Sequence, residues 1–295
     1  MTTIPCSTTS AAVGEGLAGS APDAVAWVCL EQNGPWGKKA FTDSHLDAGL
    51  GRSIEELAGA HGVRPSLVRR PGRHADVTGS DARTVLVGYT HPSGTWLLAG
   101  TVPDPSALLS LDWAAVASGA RDLALASLPG LAPSAPVLLV CTNGTRDTCC
   151  ARLGRPIAHA AAASHPERVW EVTHTSGHRF APTTVLLPYG VLHGRVLDAA
   201  GILDAADRGE LLEHGYRGRS TWPSLGQVAE AEVRLVAGIT GLDDLTVTPD
   251  AAGWCVRHRD GRRWTVSVTS YEEGVRPPSC GKADEPVQRF VAAIS

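Results

Sequence analysis

The chain has 295 residues, is 43% hydrophobic and 19% charged, and carries a formal net charge of −4 at pH 7. These values exclude wholesale disorder and a general electrostatic binder of nucleic acid or anionic membrane, and the length suits one large domain or two to three modest ones. No apolar run reaches the length of a membrane span, and residues 1–20 lack a basic segment followed by an apolar one, so the expectation is a cytoplasmic protein with no nucleic-acid or membrane partner.

In chain order, Ala24 to Leu30 reads as a buried strand, followed by a loop carrying Gly34-Pro35-Trp36-Gly37. A helix is expected to start at Ser53, with that residue as N-cap. Ser66 to Arg69 reads as a short strand. Arg83 to Thr90 and Thr95 to Val102 read as a hairpin around His91-Pro92-Ser93-Gly94. Ala107 to Ala126 is expected to be helical, and residues 129–136 (PGLAPSAP) are the best linker. The order then recurs. Pro136 to Val140 is an apolar strand, a polar cysteine-bearing loop follows, and a helix runs from about Cys150 to Ala163. Val169 to Thr173 is a strand, and Thr183 to Leu187 pairs with Val191 to Val196. Asp198 to His214 is a second helical segment. Both thirds therefore read strand, loop, helix, strand, hairpin, which points to structural duplication in element order but not in sequence. Beyond Tyr216 to Pro223, Leu225 to Ile239 is an amphipathic helix. Trp254 to His258 and Arg263 to Thr269 flank a strong turn, and Glu285 to Ile294 is a helix or a strand.

The seven cysteines are an odd number in a chain with no visible export signal, which argues against a disulfide framework. Cys29 and Cys255 read as small buried hydrophobes. Cys280, in Pro278-Ser279-Cys280-Gly281, reads as a free thiol that could approach a site. Cys141, Cys149 and Cys150 differ, because Asn143, Gly144, Thr145, Arg146 and Asp147 between them do not resemble core. One structural unit downstream stand His174 and His178, an H-x3-H pair. Two thiolates and two imidazoles held at strand ends suit a zinc or iron–sulfur centre. An H-x3-H pair alone is weak evidence in a chain with 11 histidines; the upstream cysteines give it weight.

C-x8-C followed by His174-Thr-Ser-Gly-His178-Arg-Phe-Ala-Pro182 resembles the sucrase/ferredoxin-like family, strongly over about Pro136 to Val196. Weaker likeness extends to Glu31-Gln-Asn-Gly-Pro-Trp-Gly, Tyr216-Arg-Gly-Arg-Ser and Ser279-Cys-Gly-Lys. The resemblance implies an α/β fold of two thioredoxin-like units in tandem. Residues 1–128 would form the first, 136–215 a thioredoxin-like ferredoxin domain, and 220–295 a small C-terminal α+β region. It implies a [2Fe–2S] cluster held by Cys141, Cys150, His174 and His178, with Cys149 as the alternative to Cys150. Thr173 and Ser176 depart from the family pattern without removing a ligand. Around the site, Arg146 and Asp147 would order the cysteine loop, Gly177 would tighten the backbone between the histidines, and Arg179 would add positive charge. No carboxylate pair in a motif suited to glycoside hydrolysis supports the word sucrase.

Two neutral imidazoles in place of two thiolates make such a cluster less negative and easier to reduce. Rieske centres lie at about −150 to +300 mV against about −400 mV for plant-type ferredoxins. A proton on a non-ligating imidazole nitrogen would couple electron and proton transfer. The function implied is electron transfer between a reductase donor and an unknown acceptor, with no covalent chemistry of its own. Two rival readings remain at this point. A Cys2His2 zinc site has suitable ligands but a longer cysteine spacing than zinc fingers use. A thioredoxin-like thiol enzyme lacks a C-x-x-C pair.

Overall fold

The computed structural model describes residues 4–75 and 82–295. After a short helix α1 (Cys6–Ala12), the first half of the chain runs β1 (Ala26–Glu31), α2 (Ala40–Asp43), α3 (Ala48–Ala60), β2 (Arg64–Arg69), β3 (Arg83–Tyr89) and β4 (Trp96–Val102). It continues through α4 (Trp113–Ser118), α5 (Arg121–Ser127) and β5 (Leu131–Pro133). The second half runs β6 (Val137–Cys141), α6 (Thr148–Ser164), β7 (Val169–Val172), β8 (Thr184–Leu187), β9 (Val191–His193), α7 (Ala199–Asp207) and β10 (Tyr216–Arg219). A terminal unit follows with α8 (Ser224–Ala237), β11 (Leu245–Asp250), β12 (Gly253–His258), β13 (Arg263–Arg276) and β14 (Glu285–Ile294).

Among the described residues, β1 to β10 form one mixed sheet in the order β10-β9-β8-β6-β7-β2-β1-β3-β4-β5. In the first half β1 is parallel to β2 and antiparallel to β3, which is antiparallel to β4. In the second half β6 relates to β7, β8 and β9 in the same way. The halves join edge to edge where β2 and β7 pair antiparallel.

β1 and β6 are buried almost throughout because the sheet is covered on both faces. Their side chains alternate between cores. Val28 and Leu30 face a core under α3, whereas Leu138 and Val140 face one under α6 and α7. Trp27, Cys29, Leu139 and Cys141 point to the other face, into a core shared by both halves. The sheet bends around that shared core, so that Leu187 of β8 packs beside Gly88 of β3. β11 to β14 form a separate antiparallel sheet under α8. The turn between β13 and β14 returns Cys280 to the shared core. No described helix is long and apolar enough to cross a membrane.

Several boundaries differ from the sequence reading. α3 begins at Ala48, where the Asp47 carboxylate accepts a hydrogen bond from Leu50 N, and not at Ser53. The segment 107–126 is broken at Gly119, which has φ 78°. The helix expected to reach His214 ends at Asp207, with Gly209 at φ 75° just beyond. Part of the expected linker is strand, because β5 pairs with the edge of β4. Of the two alternatives for Glu285–Ile294, the structure has the strand.

Candidate metal centre

The polar turn after β6 ends at Asp147, whose carboxylate accepts from Cys149 N and caps α6. Cys149 and Cys150 therefore lie in the first turn of that helix. Successive helical residues point about 100° apart at 3.6 residues per turn, so the adjacent thiols diverge. Cys150 points to Cys141 at the end of β6. The two thiols hydrogen-bond to each other, and Cys150 Sγ lies 3.2 Å from His178 Nδ1. Cys149 points the other way, towards Cys6 and Cys280.

The loop after β7 supplies the imidazoles. Ser176 and Gly177 both adopt left-handed backbone, at φ 59° and 70°, and turn the chain back on itself. This brings the rings of His174 and His178 into a stack with centroids 4.7 Å apart and planes 22° apart. Gly177 is required twice over, by its φ and because a Cβ there would overlap the Arg217 guanidinium. Ser176 holds an unfavourable conformation for a residue with a side chain. It is tied by Arg64, which donates to its Oγ at 3.2 Å, and by Arg217, which donates to its carbonyl oxygen at 3.1 Å. His174 Nδ1 accepts from Ser176 N at 3.3 Å, leaving Nε2 as its free nitrogen.

Cys141, Cys150, His174 and His178 thus converge from two loops at one end of the second half. The Cys141 thiol is pulled down to about 7, first by its hydrogen bond with Cys150 and further by backbone donors. The Cys150 thiol is pushed up by the same bond and by burial. Both imidazoles are pushed down, chiefly by burial; for His174 the neighbouring His178 and then nearby arginines add to it. The site therefore offers two neutral imidazoles, one thiol poised to ionise and a second that ionises only with a metal to stabilise it. By type, two sulfur and two nitrogen donors suit a histidine-ligated [2Fe–2S] cluster or zinc, but their ligand atoms do not all lie within 4.8 Å of one another, a wider spread than a single tetrahedral zinc ion requires.

The surrounding residues are arranged as follows. Arg146 donates to the carbonyl oxygen of Lys38 at 3.2 Å, tying the cysteine turn to the first half. Asp147 pairs with backbone and Ser279, not with Arg146. Arg179 is taken up by Glu15 at 2.6 Å. Trp36 is a packed loop residue, donating to Gln32 O at 2.9 Å with the Arg69 guanidinium 3.7 Å above its ring. Sequence reasoning missed Arg64 and Arg217, which reach the histidine loop from β2 and β10. It also missed Cys6; the only signal for it was that it remained unassigned in an odd set of cysteines. A pocket of about 650 Å³ opens beside His174. Among the described residues, Lys38, Lys39, Arg52, Arg64 and Arg146 line it against a single acidic residue, Glu55.

A family model described as Suc_Fer-like, sucrase/ferredoxin-like, matches residues 17–218. That stretch contains Cys141, Cys149, Cys150, His174 and His178 and leaves out Cys6 and Cys280. The comparisons with curated proteins and with solved structures returned no match.

Proposed function

Because the chain belongs to the sucrase/ferredoxin-like family, we propose that it is an electron carrier whose Cys141, Cys150, His174 and His178 hold a [2Fe–2S] cluster. The observation that carries this reading is the convergence of those four donors, with Cys149 directed elsewhere. When bound, such a cluster supplies one-electron redox chemistry at a potential raised by its imidazole ligands. The strand order of each half of the sheet supports two tandem thioredoxin-like units, the second of which bears the ligands.

The protein's own residues hold, shield and tune the site. Gly177 and Ser176 fix the spacing of the imidazoles, and burial keeps both rings neutral and able to ligate. Arg64 and Arg217 brace the histidine loop and place positive charge beside the thiolates. His174 borders the basic pocket, so solvent can reach its ring; the nitrogen that does not ligate would be the one to exchange a proton, which is the basis of the proton-coupled transfer in this reading. The same lysines and arginines favour an acidic redox partner or an anionic acceptor docking there. A cytoplasmic location, expected from the odd cysteine count, is part of the same proposal.

The test is anaerobic purification followed by iron, zinc and sulfide analysis and by electrochemistry across pH. About two iron and two sulfide per chain are expected, with a potential falling by up to ~59 mV per pH unit where a proton follows the electron. His174→Cys or His178→Cys should retain iron and lower the potential towards that of all-cysteine ferredoxins. Zinc without iron, even after reconstitution, and with two sulfur and two nitrogen neighbours, would replace this reading with a Cys2His2 zinc site. Unchanged potentials in both variants would remove the histidines from the ligand set.

A further inference from the structure

Cys149 meets two thiols from opposite ends of the chain. Its Sγ lies 3.8 Å from Cys6 Sγ and 3.3 Å from Cys280 Sγ, and those two are 3.5 Å apart. Asp147 closes the group, with Oδ2 3.6 Å from Cys6 Sγ and all four donor atoms within 4.8 Å of one another. Cys6, Cys149 and Asp147 are buried and Cys280 is half-buried. We propose that Cys6, Cys149, Cys280 and Asp147 bind a structural Zn²⁺ ion, distinct from the centre at Cys141, Cys150, His174 and His178.

The spacing of the donors suits a four-coordinate ion. Bond lengths of about 2.3 Å to sulfur and about 2.0 Å to oxygen give edges of about 3.8 Å between sulfurs and about 3.5 Å between sulfur and oxygen. The Cys149 and Cys280 sulfurs lie within 4.8 Å of the carboxylate, and the separations of 3.3–3.8 Å between sulfurs and of 3.6 Å from Cys6 Sγ to the Asp147 oxygen are near those edges. They are far from the about 2.05 Å of a disulfide, and a disulfide among three thiols would strand the third. Three sulfurs with one carboxylate favour Zn²⁺, which accepts both, over an all-sulfur metal such as Cu(I) or an all-oxygen one such as Mg²⁺.

The surroundings are built to hold these donors. Asp147 Oδ2 accepts from Ser279 Oγ and Cys280 N at 2.7 and 2.8 Å, and Oδ1 accepts from Cys149 N at 2.8 Å; these bonds fix the carboxylate beside the three sulfurs, and a metal on Oδ2 would share that oxygen with its two donors. Ser7 Oγ donates to Cys149 Sγ at 3.2 Å. Binding expels three thiol protons, while the carboxylate enters as the anion. Three thiolates and one carboxylate around Zn²⁺ carry a net charge of −2, which the Ser7, Ser279 and Cys280 N donors offset in part. The ion would clasp α1, the start of α6 and the β13–β14 turn. It would also fix the helical turn that carries Cys150, so the clasp and the proposed redox centre share a backbone but no ligand.

The test is made on the full chain, supplemented with ZnCl₂ and desalted, by metal analysis and zinc X-ray absorption. About one zinc per chain is expected, with a shell of three sulfurs at about 2.3 Å and one oxygen. Cys6→Ser and Cys280→Ser should each weaken zinc retention at least about tenfold and keep iron. Cys150→Ser should do the reverse, so this proposal and the electron-carrier reading fail separately. Absence of retained zinc overturns the site. So does a shell of two sulfurs and two nitrogens, or a Cys149–Cys280 disulfide in peptide maps of the zinc-treated protein. The absorption measurement is made on the unsubstituted protein, so a variant that misfolds does not blunt it.

Discussion

His193 in β9 is fully buried, and its Nε2 lies 2.8 Å from the carbonyl oxygen of Leu212. Its Nδ1 has no partner among the described residues, so protonation would put an unpaired charged N–H into the core. Burial therefore pushes this imidazole down to about 4 from the usual 6.5. Between those values the unfolded chain binds a proton that the folded chain refuses. Stability is thus full above pH 6.5 and falls as the pH drops towards 4, by about 3 kcal/mol in all. His193→Gln retains a donor for Leu212 without the titration. On going from pH 7.5 to pH 5, the original protein should lose about 2 kcal/mol more in urea denaturation than this variant. Equal losses would mean that His193 is not a source of acid sensitivity. The divergence of Cys149 and Cys150 is also decided at single residues. The sequence could not choose between them, because Cys6, which claims Cys149, lies 143 positions away.

At the scale of the element, α6 brings Cys150 to Cys141 because Gly154 lets it lie against the end of β6. Gly154 follows Cys150 by four positions and shares its helix face, and a Cβ there would overlap the carbonyl oxygen of Cys141. Gly154→Ala should therefore destabilise the fold by about 1–3 kcal/mol despite alanine's better helix propensity, and iron retention should fall with it. Gly59 in α3 provides the control. A Cβ there meets nothing, so Gly59→Ala should stabilise by up to about 1 kcal/mol. Equal gains in thermal denaturation of both variants would show that the helix does not depend on that close approach. β1, β6 and β8 were legible in the sequence to within a residue or two, because they bury nearly every side chain and need continuous apolar runs; β5, β10 and β11 were not read as strands, and β13 runs on to Arg276, past the expected Thr269. Helix ends were less legible. The breaks at Gly119 and Gly209 depend on left-handed backbone, and glycine alone does not announce that in a chain with 32 of them.

At the scale of the molecule, the repeated element order was readable, but the way the two copies meet was not. β2 and β7 are joined in register only at Val68↔Val172 and Arg69↔Glu171. At this seam Arg69 and Glu171, both buried, pair at 2.8 Å. Arg69 also donates to Gly34 O at 2.6 Å, and Glu171 accepts from Thr142 Oγ1 at 2.8 Å. Thr142 follows Cys141, so the seam reaches the candidate metal centre through one hydrogen bond. Nothing in the sequence around Arg69 marks a partner 102 positions away. Removing one member strands a buried charge, which costs about 3–5 kcal/mol, whereas replacing both with apolar residues of similar size avoids most of that loss. Arg69→Met and Glu171→Leu should each be strongly destabilising in urea denaturation, and iron retention should fall because the turn after Cys141 loosens. The double variant should regain much of the stability, with a coupling energy of about 1–3 kcal/mol in the cycle. Small, additive losses would show that the main-chain pairing of β2 and β7, not this ion pair, holds the two halves in one sheet.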